Sequence, residues 1–252
     1  MPGPPIHPHE PGLLRKLVSP LLDLLYPPGC AVCHKALKNN RSLCPPCGAA
    51  LPRLIPPFCS LCAQPYHGRI DGDFECPNCR DLDFAFDFAR PAMLRDDRTL
   101  QMIHHLKYLR AIHLARELAI LAAEAFADPR LRPALEEKWH LVPVPLHRSR
   151  HQWRHFNQAA EIAGHLSRST GLPVVHALRR IRKTATQTRL TRQERLANLR
   201  SAFVPASSIP AEKPGAILID DVFTTGSTVD ACAAVLRRAG YRRIAVVTVM
   251  RG

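Results

Sequence analysis

The stretch ILIDDVFTTGSTVD, residues 217–230, combines an apolar run, two adjacent carboxylates and a short turn of threonine, glycine and serine. The apolar run predicts a parallel strand that is buried on both faces. The residues after the turn have helical spacing, so the turn is predicted to join a strand to the N-terminus of a helix. In a parallel α/β sheet such a turn faces the crevice in which ligands bind.

The turn has the properties of a phosphate site. Its backbone N–H groups and the positive end of the following helix can face one anion, Gly226 permits close approach, and the hydroxyls add donors. Asp220 and Asp221 do not suit a phosphate, but carboxylates accept hydrogen bonds from vicinal hydroxyls and bind groups around Mg²⁺. The stretch therefore predicts a sugar phosphate ligand. The alternative is an ordinary polar turn and helix cap with solvated acids.

The flanking sequence predicts an α/β fold with a parallel sheet and flanking helices. GAILID and RIAVVTVM, at 215–220 and 243–250, are two short apolar strands with a helix between them. WHLVPVPLH, at 139–147, is a third strand, and its prolines confine it to a sheet edge. Residues 156–170 predict a helix that ends at Gly171. An earlier helical pattern extends from about residue 99 to 128.

Eight of the nine cysteines form four C-x-x-C pairs separated by gaps of similar length. Two such pairs complete the tetrahedral shell of a structural zinc ion, so we expect two zinc ions and no catalytic metal position. The sequence leaves open whether the pairing is sequential or cross-braced. Sequential pairing gives one set of Cys30, Cys33, Cys44 and Cys47 and a second of Cys59, Cys62, Cys76 and Cys79. The ninth, Cys232, is expected to be a core residue.

Composition places the positive charge in the C-terminal part of the chain. Residues 89–252 contain 27 Lys or Arg and 13 Asp or Glu, and residues 147–200 alone contain twelve basic and two acidic residues. Such a surface suits a polyanion. No secretory signal is visible, the apolar run at 114–126 is too short to span a bilayer, and the paired cysteines fit a reducing compartment. We expect a cytoplasmic protein without a membrane span.

The stretch at 217–230 closely resembles the phosphoribosyl pyrophosphate signature of type I phosphoribosyltransferases. The resemblance implies that Asp220 and Asp221 bind the ribose hydroxyls of this ligand, which carries Mg²⁺, and are the residues on which catalysis depends. It further implies that the turn wraps the 5'-phosphate, through Thr224, Thr225, Gly226, Ser227 and Thr228.

A wider resemblance covers nearly everything from Cys30 onward. The segments VPVPLHRSRHQWRHFNQA at 142–159 and RKTATQTRLTRQERLANLRSAF at 182–203, together with the cysteine region, resemble the ComF family of competence-associated phosphoribosyltransferase-like proteins. The Pro- and His-rich first residues, the cysteine-rich region and this resemblance together predict three parts. They are a flexible leader at 1–28, a double zinc ribbon at 29–88 and a phosphoribosyltransferase-like domain at 89–252.

The family resemblance also assigns basic residues to the ligand. The loop at 145–150 is expected to meet the pyrophosphate, with Arg148 as its main contact. Residues 182–200 look like the mobile loop that closes over such sites, and Lys183 is expected to contact the phosphates from that loop. Family members usually have a glycine where this chain has His155.

The resemblance implies two functions that the sequence does not separate. One is an enzyme that transfers phosphoribose to an acceptor, with release of pyrophosphate. The other is a non-catalytic protein that senses phosphoribosyl pyrophosphate and binds single-stranded DNA through its basic surface. In both, a link to DNA uptake and natural transformation is implied, with other DNA-uptake proteins as partners. The acceptor, the oligomeric state and the occurrence of catalysis are not determined by the sequence.

Overall fold

The computed structural model describes residues 29–37, 41–70, 72–80, 82–182, 199 and 201–252. The expected leader at 1–28 therefore lies outside the described residues. Contacts between residues divide the chain into two compact units, of which the first ends at Ala50 and the second begins at Leu51. The first unit contains one described helix, α1 (Pro45–Ala49), and one group of four cysteines.

The second unit is built on a four-stranded parallel sheet, as the sequence predicts. Its strands are β1 (Phe88–Met93), β2 (His140–Pro143), β5 (Ala216–Phe223) and β6 (Ile244–Arg251). Their order in the sheet is β1-β6-β5-β2, so β2, the strand predicted to lie at an edge because of its prolines, does so, which confirms that prediction. Strand β1 lies at the other edge and was not anticipated from the sequence.

Helices cover both faces of this sheet. Side chains alternate along β5, and those of Ala216 and Leu218 belong to the same buried cluster as Cys232 and Leu236 of α8 (Ser227–Arg238). The expectation that Cys232 is a core residue is thereby confirmed. On β5 the intervening Ile217 and Ile219 are also fully buried. Two further helices, α4 (Leu114–Ala123) and α7 (Gln158–Thr170), pack against each other and against the sheet.

The helical pattern after residue 99 forms two helices, which corrects the expectation of one. Helix α3 (Asp97–Tyr108) is separated from α4 by a short turn that contains Arg110 at φ +55°. After α4 the chain continues as two 3₁₀ turns and then α5 (Arg132–Glu136). A left-handed residue interrupts the hydrogen bonding of a continuous helix, and apolar periodicity alone does not reveal it.

The segment between β2 and β5 carries smaller elements. Helix α6 (Arg148–Arg154) precedes α7, and α7 ends at Gly171 in a left-handed conformation, as expected. An antiparallel pair of short strands, β3 (Leu178–Arg180) and β4 (Phe203–Pro205), follows and was not anticipated. Most of the expected mobile loop, including Lys183, lies outside the described residues.

The second cysteine group belongs to the same unit as the sheet. Its four cysteines are buried in the cluster that contains Phe86 and Phe223, and helix α2 (Pro77–Arg80) carries the last of them. The Leu61 carbonyl accepts a hydrogen bond from the Ala89 N–H at 2.7 Å, so this region is bonded directly to β1. Across the parts of the chain that the structure describes, no helix is long and apolar enough to cross a membrane.

His155 ends helix α6 in the left-handed conformation, with φ +65°. A glycine is favoured at such a position because a side chain at positive φ is strained. The glycine that the resemblance leads us to expect at this position therefore has a conformational reason.

We predict that His155→Gly raises the free energy of unfolding by about 1 kcal/mol, because relief of strain exceeds the extra chain entropy of glycine. Denaturant unfolding measures this change. His151→Gly, inside the same helix, is the matched control and is expected to destabilise by about 1 kcal/mol. A destabilised His155→Gly variant would contradict the prediction.

Candidate functional site

The carboxyl ends of β2, β5 and β6 lie side by side, because the three strands are parallel neighbours. This end of the sheet is here called the carboxyl edge. Asp220 and Asp221 lie near the end of β5, where Asp220 is paired with Thr248 of β6. The turn that begins at Thr224 follows at once, and α8 starts at Ser227. The carboxylates and the glycine turn are therefore neighbours at the same edge.

Asp221 is buried and forms an ion pair with Lys107 of α3. The distance between Lys107 Nζ and Asp221 Oδ2 is 2.7 Å, and the Asp221 side chain is 5% exposed. The ammonium group supplies the countercharge that a buried carboxylate requires. Sequence analysis missed this lysine, although Lys107 follows the buried Ile103 by four positions and thus lies on the apolar stripe of its helix.

Asp220 is the carboxylate of the carboxyl edge whose pKa is raised. Burial is the main cause that raises its pKa to about 7, and the negative charge of Asp221 acts in the same direction. The positive charges of Lys107 and Arg180 oppose this shift, as does the Asp221 N–H, which donates to Asp220 Oδ1 at 2.9 Å. The carboxylate is consequently balanced between its two protonation states near neutral pH.

The turn after β5 is shaped by Gly226. This residue has φ +80° and caps α8, and a Cβ placed on it would lie 2.9 Å from the Phe223 ring. Both its conformation and the limited space therefore favour glycine. The hydroxyls of Thr225 and Ser227 are hydrogen bonded to each other at 2.9 Å, whereas Thr224 is exposed. Backbone N–H groups and hydroxyls thus line the start of a twelve-residue helix.

Basic residues reach this edge from two directions. Arg180 of β3 is close enough to Asp220 and to Arg150 that both affect its pKa, which burial lowers overall. His147 forms a parallel bridge with Arg180, so the loop before α6 lies beside β3. Arg148 is exposed, and no hydrogen bond or ion pair joins it to the two aspartates in the described chain. Sequence analysis selected Arg148 and overlooked Arg180, whose signal is its place two residues after the buried Leu178.

The eight paired cysteines form two groups of four in chain order, which is the sequential and not the cross-braced arrangement. Within each group the four sulfur atoms lie within 4.8 Å of one another. The members of the first group are Cys30, Cys33, Cys44 and Cys47. The members of the second group, here called the second tetrad, are Cys59, Cys62, Cys76 and Cys79.

The geometry of both groups fits zinc. A Zn–S distance of about 2.3 Å gives sulfur atoms about 3.8 Å apart in a tetrahedral shell. The Cys33 to Cys44 separation is 3.7 Å, and that from Cys62 to Cys76 is 3.6 Å. Backbone N–H groups also support thiolates, since Cys44 donates to Cys30 Sγ at 3.4 Å. Cysteine sulfur suits Zn²⁺, which would hold these turns together and leave no position for substrate.

The hydrogen bonds also favour ionised sulfur. At Cys30, burial opposes ionisation, but hydrogen bonds from the backbone N–H groups of Cys33 and Cys44 outweigh it and lower the pKa to about 6. At Cys59, a hydrogen bond from the Cys62 thiol is the main cause that lowers the pKa to about 4. The same thiol contacts act in the opposite direction on their partners: the hydrogen bond with Cys44 raises the pKa of Cys47 to about 12, and that with Cys59 raises the pKa of Cys62. The sulfurs of each group thus share protons that a bound metal would displace.

Comparison with known proteins accounts for most of the chain. Residues 21–80 match the family model of the double zinc ribbon domain. DNA utilization protein YhgH of Salmonella typhimurium is 32% identical over 219 residues, which cover 86% of this chain and 87% of that protein. Competence protein F of Haemophilus influenzae is 29% identical, with 75% and 88% covered. Competence protein ComFC of Bacillus subtilis is 27% identical, with 81% of each covered. The chain belongs to the ComF family.

Family membership confirms the resemblance drawn from the sequence and the combination of a zinc ribbon region with a parallel α/β sheet. Within the segment at 142–159, the structure shows the contacts of Asn157 and Arg154. Asn157 caps α7 by accepting from the Ala159 N–H at 3.0 Å, and its Nδ2 donates to the Val144 carbonyl at 3.0 Å. Arg154 is buried and donates to Gln158 Oε1 at 3.0 Å. These residues of the ComF chain fix the loop beside the site.

We predict that Asp220 makes the free energy of unfolding decrease between about pH 5.5 and pH 7.5. Its folded pKa, about 7, is above the unfolded value of 3.8, so the folded state binds the additional proton in this window. Asp220→Asn removes the titration, and its stability relative to wild type should rise by roughly 2 kcal/mol across the window.

Denaturant unfolding of both proteins at each pH checks this, because contributions from the zinc sites cancel in the difference. Asp97→Asn, which removes an exposed carboxylate from α3, is the control and should give a constant difference. A constant difference for Asp220→Asn would show that Asp220 does not titrate in this range.

Proposed function

We propose that this ComF-family chain binds phosphoribosyl pyrophosphate with Mg²⁺ at the carboxyl edge of the sheet. The observation that carries the proposal is the position of Asp220 and Asp221 directly before the Gly226 turn and the N-terminus of α8. Acceptors for hydroxyls and donors for a phosphate are thus adjacent, which matches a ligand that has ribose hydroxyls next to a 5'-phosphate.

Each part of the edge has a role in this proposal. The carboxylates of Asp220 and Asp221 accept hydrogen bonds from the ribose hydroxyls, and the backbone of the turn surrounds the 5'-phosphate. Arg180 and Arg150 supply positive charge on the side of the pyrophosphate, where guanidinium groups suit neighbouring phosphate oxygens. Mg²⁺ enters with the pyrophosphate and reduces its negative charge.

Lys107 has a separate role as the occupant of Asp221 before ligand binds. Its ammonium group contacts Asp221 Oδ2, an oxygen that is buried from solvent, at 2.7 Å. Binding therefore requires Lys107 to share this carboxylate or to turn toward the ligand phosphates. Until ligand binds, the lysine balances the charge of this buried carboxylate.

The same residues serve catalysis or sensing. Transfer would break the bond between the anomeric carbon and pyrophosphate while a bond to the acceptor forms, and positive charge near the leaving group would favour this step. Sensing needs the binding half alone. The names of the relatives connect DNA utilization and competence with this family, so we place the function of the chain in DNA uptake.

Calorimetric titration with phosphoribosyl pyrophosphate and Mg²⁺ tests the binding site. We expect wild type to bind and Asp221→Asn to bind roughly 10- to 100-fold more weakly, because a charged acceptor contributes about 1.5–3 kcal/mol. Asp97→Asn removes an equal charge away from the edge and should bind within about twofold of wild type.

Absence of binding to wild type, or equal affinities for Asp221→Asn and Asp97→Asn, would overturn the proposed site. Release of pyrophosphate, measured with purine, pyrimidine and oligonucleotide acceptors, separates the two functions. Release with one acceptor supports transfer, whereas binding without release from any acceptor supports sensing.

A second candidate function is the binding of single-stranded DNA, and an exposed aromatic pair favours it. The rings of Tyr108 and Trp153 lie 5.9 Å apart, and the two residues are 54% and 55% exposed. The Arg154 guanidinium lies 5.2 Å from the centre of the Tyr108 ring, and Arg110 donates to the Trp153 carbonyl at 3.0 Å. Exposed aromatic rings among basic groups provide stacking surfaces for bases.

We predict that single-stranded DNA binds with an affinity that falls steeply with salt, because phosphate contacts release counterions. Trp153→Ala should weaken binding by about 1–3 kcal/mol without a change in salt slope, since stacking involves no phosphate. Fluorescence anisotropy with a labelled oligonucleotide measures both quantities. Tyr66→Ala removes another exposed aromatic residue and serves as the control. A salt-independent affinity would exclude a polynucleotide groove.

A further inference from the structure

We infer that Arg251 is a positioning residue that joins the phosphate-binding turn to the second tetrad, so that metal in this tetrad and ligand at the turn stabilise each other. The consequence for ligand affinity rests on the proposed function. The contacts themselves do not depend on it. All the residues concerned belong to the unit that begins at Leu51.

The first contact fixes the turn. Arg251 lies beside Phe223 in the register of β6 with β5. Its Nη1 donates to the Phe223 carbonyl at 3.1 Å and to the Thr224 carbonyl at 2.7 Å. Its guanidinium also lies 5.2 Å from the centre of the Phe223 ring, the ring that limits the space around Gly226. One side chain thus holds the backbone and the ring that shape the turn.

The second contact reaches the cysteines. Arg251 Nη2 donates to Gln64 Oε1 at 2.9 Å. Gln64 in turn accepts a hydrogen bond at its backbone carbonyl from the Cys59 N–H at 2.9 Å, in the turn that carries Cys59 and Cys62. Because the guanidinium is planar and its donors are fixed relative to one another, Arg251 keeps Gln64 and Thr224 in one arrangement.

A packed connection runs beside this hydrogen-bonded one. After Cys79 the chain passes Phe84, whose ring lies 3.5 Å from the position of a Cβ on Gly226. Next, the Ala85 N–H donates to Asp230 Oδ1 in the first turn of α8 at 2.7 Å. The Phe86 ring meets the Phe223 ring edge-on at 6.1 Å. The tetrad and the phosphate turn are therefore neighbouring parts of one core.

These contacts give a metal in the second tetrad a role at the phosphate turn. Zinc bound there would fix the turn that carries Gln64, and Gln64 fixes Arg251 and the carbonyls of Phe223 and Thr224. Without the metal Gln64 would be free to move, and the ligand itself would have to order the phosphate turn. Coupling between two binding sites is reciprocal in free energy, so a bound ligand would also raise the affinity of the second tetrad for zinc.

Hydrogen exchange of the ligand-free chain tests the hydrogen-bonded connection. In Arg251→Gln we expect the exchange protection of the Asp230 and Gly252 amides, which donate to the Gly226 and Phe223 carbonyls, to fall about tenfold, since bonds worth about 1 kcal/mol or more are lost. Gln64→Leu should accelerate the same amides, whereas Gln64→Glu keeps an acceptor for Arg251 and should restore wild-type exchange. Arg242→Gln removes the same charge from an exposed position just before β6 and should change nothing.

Two further measurements test the coupling. Phosphoribosyl pyrophosphate with Mg²⁺ should bind Arg251→Gln about tenfold more weakly than Arg242→Gln. At equilibrium with a chromophoric chelator, this ligand should raise the zinc affinity of the second tetrad severalfold in wild type and not in Gln64→Leu. The zinc of the first cysteine group is identified with Cys33→Ser, and its affinity should not respond to ligand.

The outcomes separate the two proposals. Failure of wild type to bind phosphoribosyl pyrophosphate sinks the proposed function, while hydrogen exchange still decides the positioning role of Arg251. Unchanged exchange of the Asp230 and Gly252 amides in Arg251→Gln and Gln64→Leu overturns the inference. Ligand binding that leaves the zinc affinity of the second tetrad unaltered overturns the coupling.

Discussion

Two adjacent carboxylates at the end of a buried strand repel each other, and the architecture of this edge follows from that repulsion. Asp220 and Asp221 lie near the end of β5, and burial raises the free energy of their ionised forms. Lys107 of α3 and Arg180 of β3, two separate elements, supply positive charge to these carboxylates. The chain's own cations thus hold the two acids in place. The ligand proposed above would meet acceptors that this network has already positioned.

The sequence was informative wherever the determining contacts are local. Apolar runs identified β5 and β6, prolines placed β2 at an edge, and Gly171 ended α7, because each depends on neighbouring residues. The cysteine spacing identified both metal groups for the same reason. In contrast, β1 has the sequence FARPAM, in which a proline and an arginine interrupt the apolar pattern of a strand. Its partner β6 also lies far along the chain.

Long-range contacts explain what sequence reasoning missed at the site. Three separate elements bring basic residues to the carboxyl edge, namely Lys107, Arg180 and Arg251. The sequence around each of these residues does not predict its partner. Arg148 was selected on its loop, yet the arginine nearer to the carboxylates belongs to β3. The neighbouring charges of β3 and α6 become visible only once the antiparallel pair and the bridge from His147 to Arg180 are known. Net charge indicated the region without indicating the residue.

The pairing of strand β1 determines when this part of the chain can fold during synthesis on the ribosome. Within the described sheet its sole neighbour is β6, so Phe88 is paired with Ala245 at the opposite end of the unit. During synthesis from the N-terminus, β1 can form its hydrogen bonds to Leu54 and Leu61 early, because these partners are close in sequence. Its pairing with β6 has to wait until translation delivers the final strand, so the order of synthesis separates the two sets of bonds.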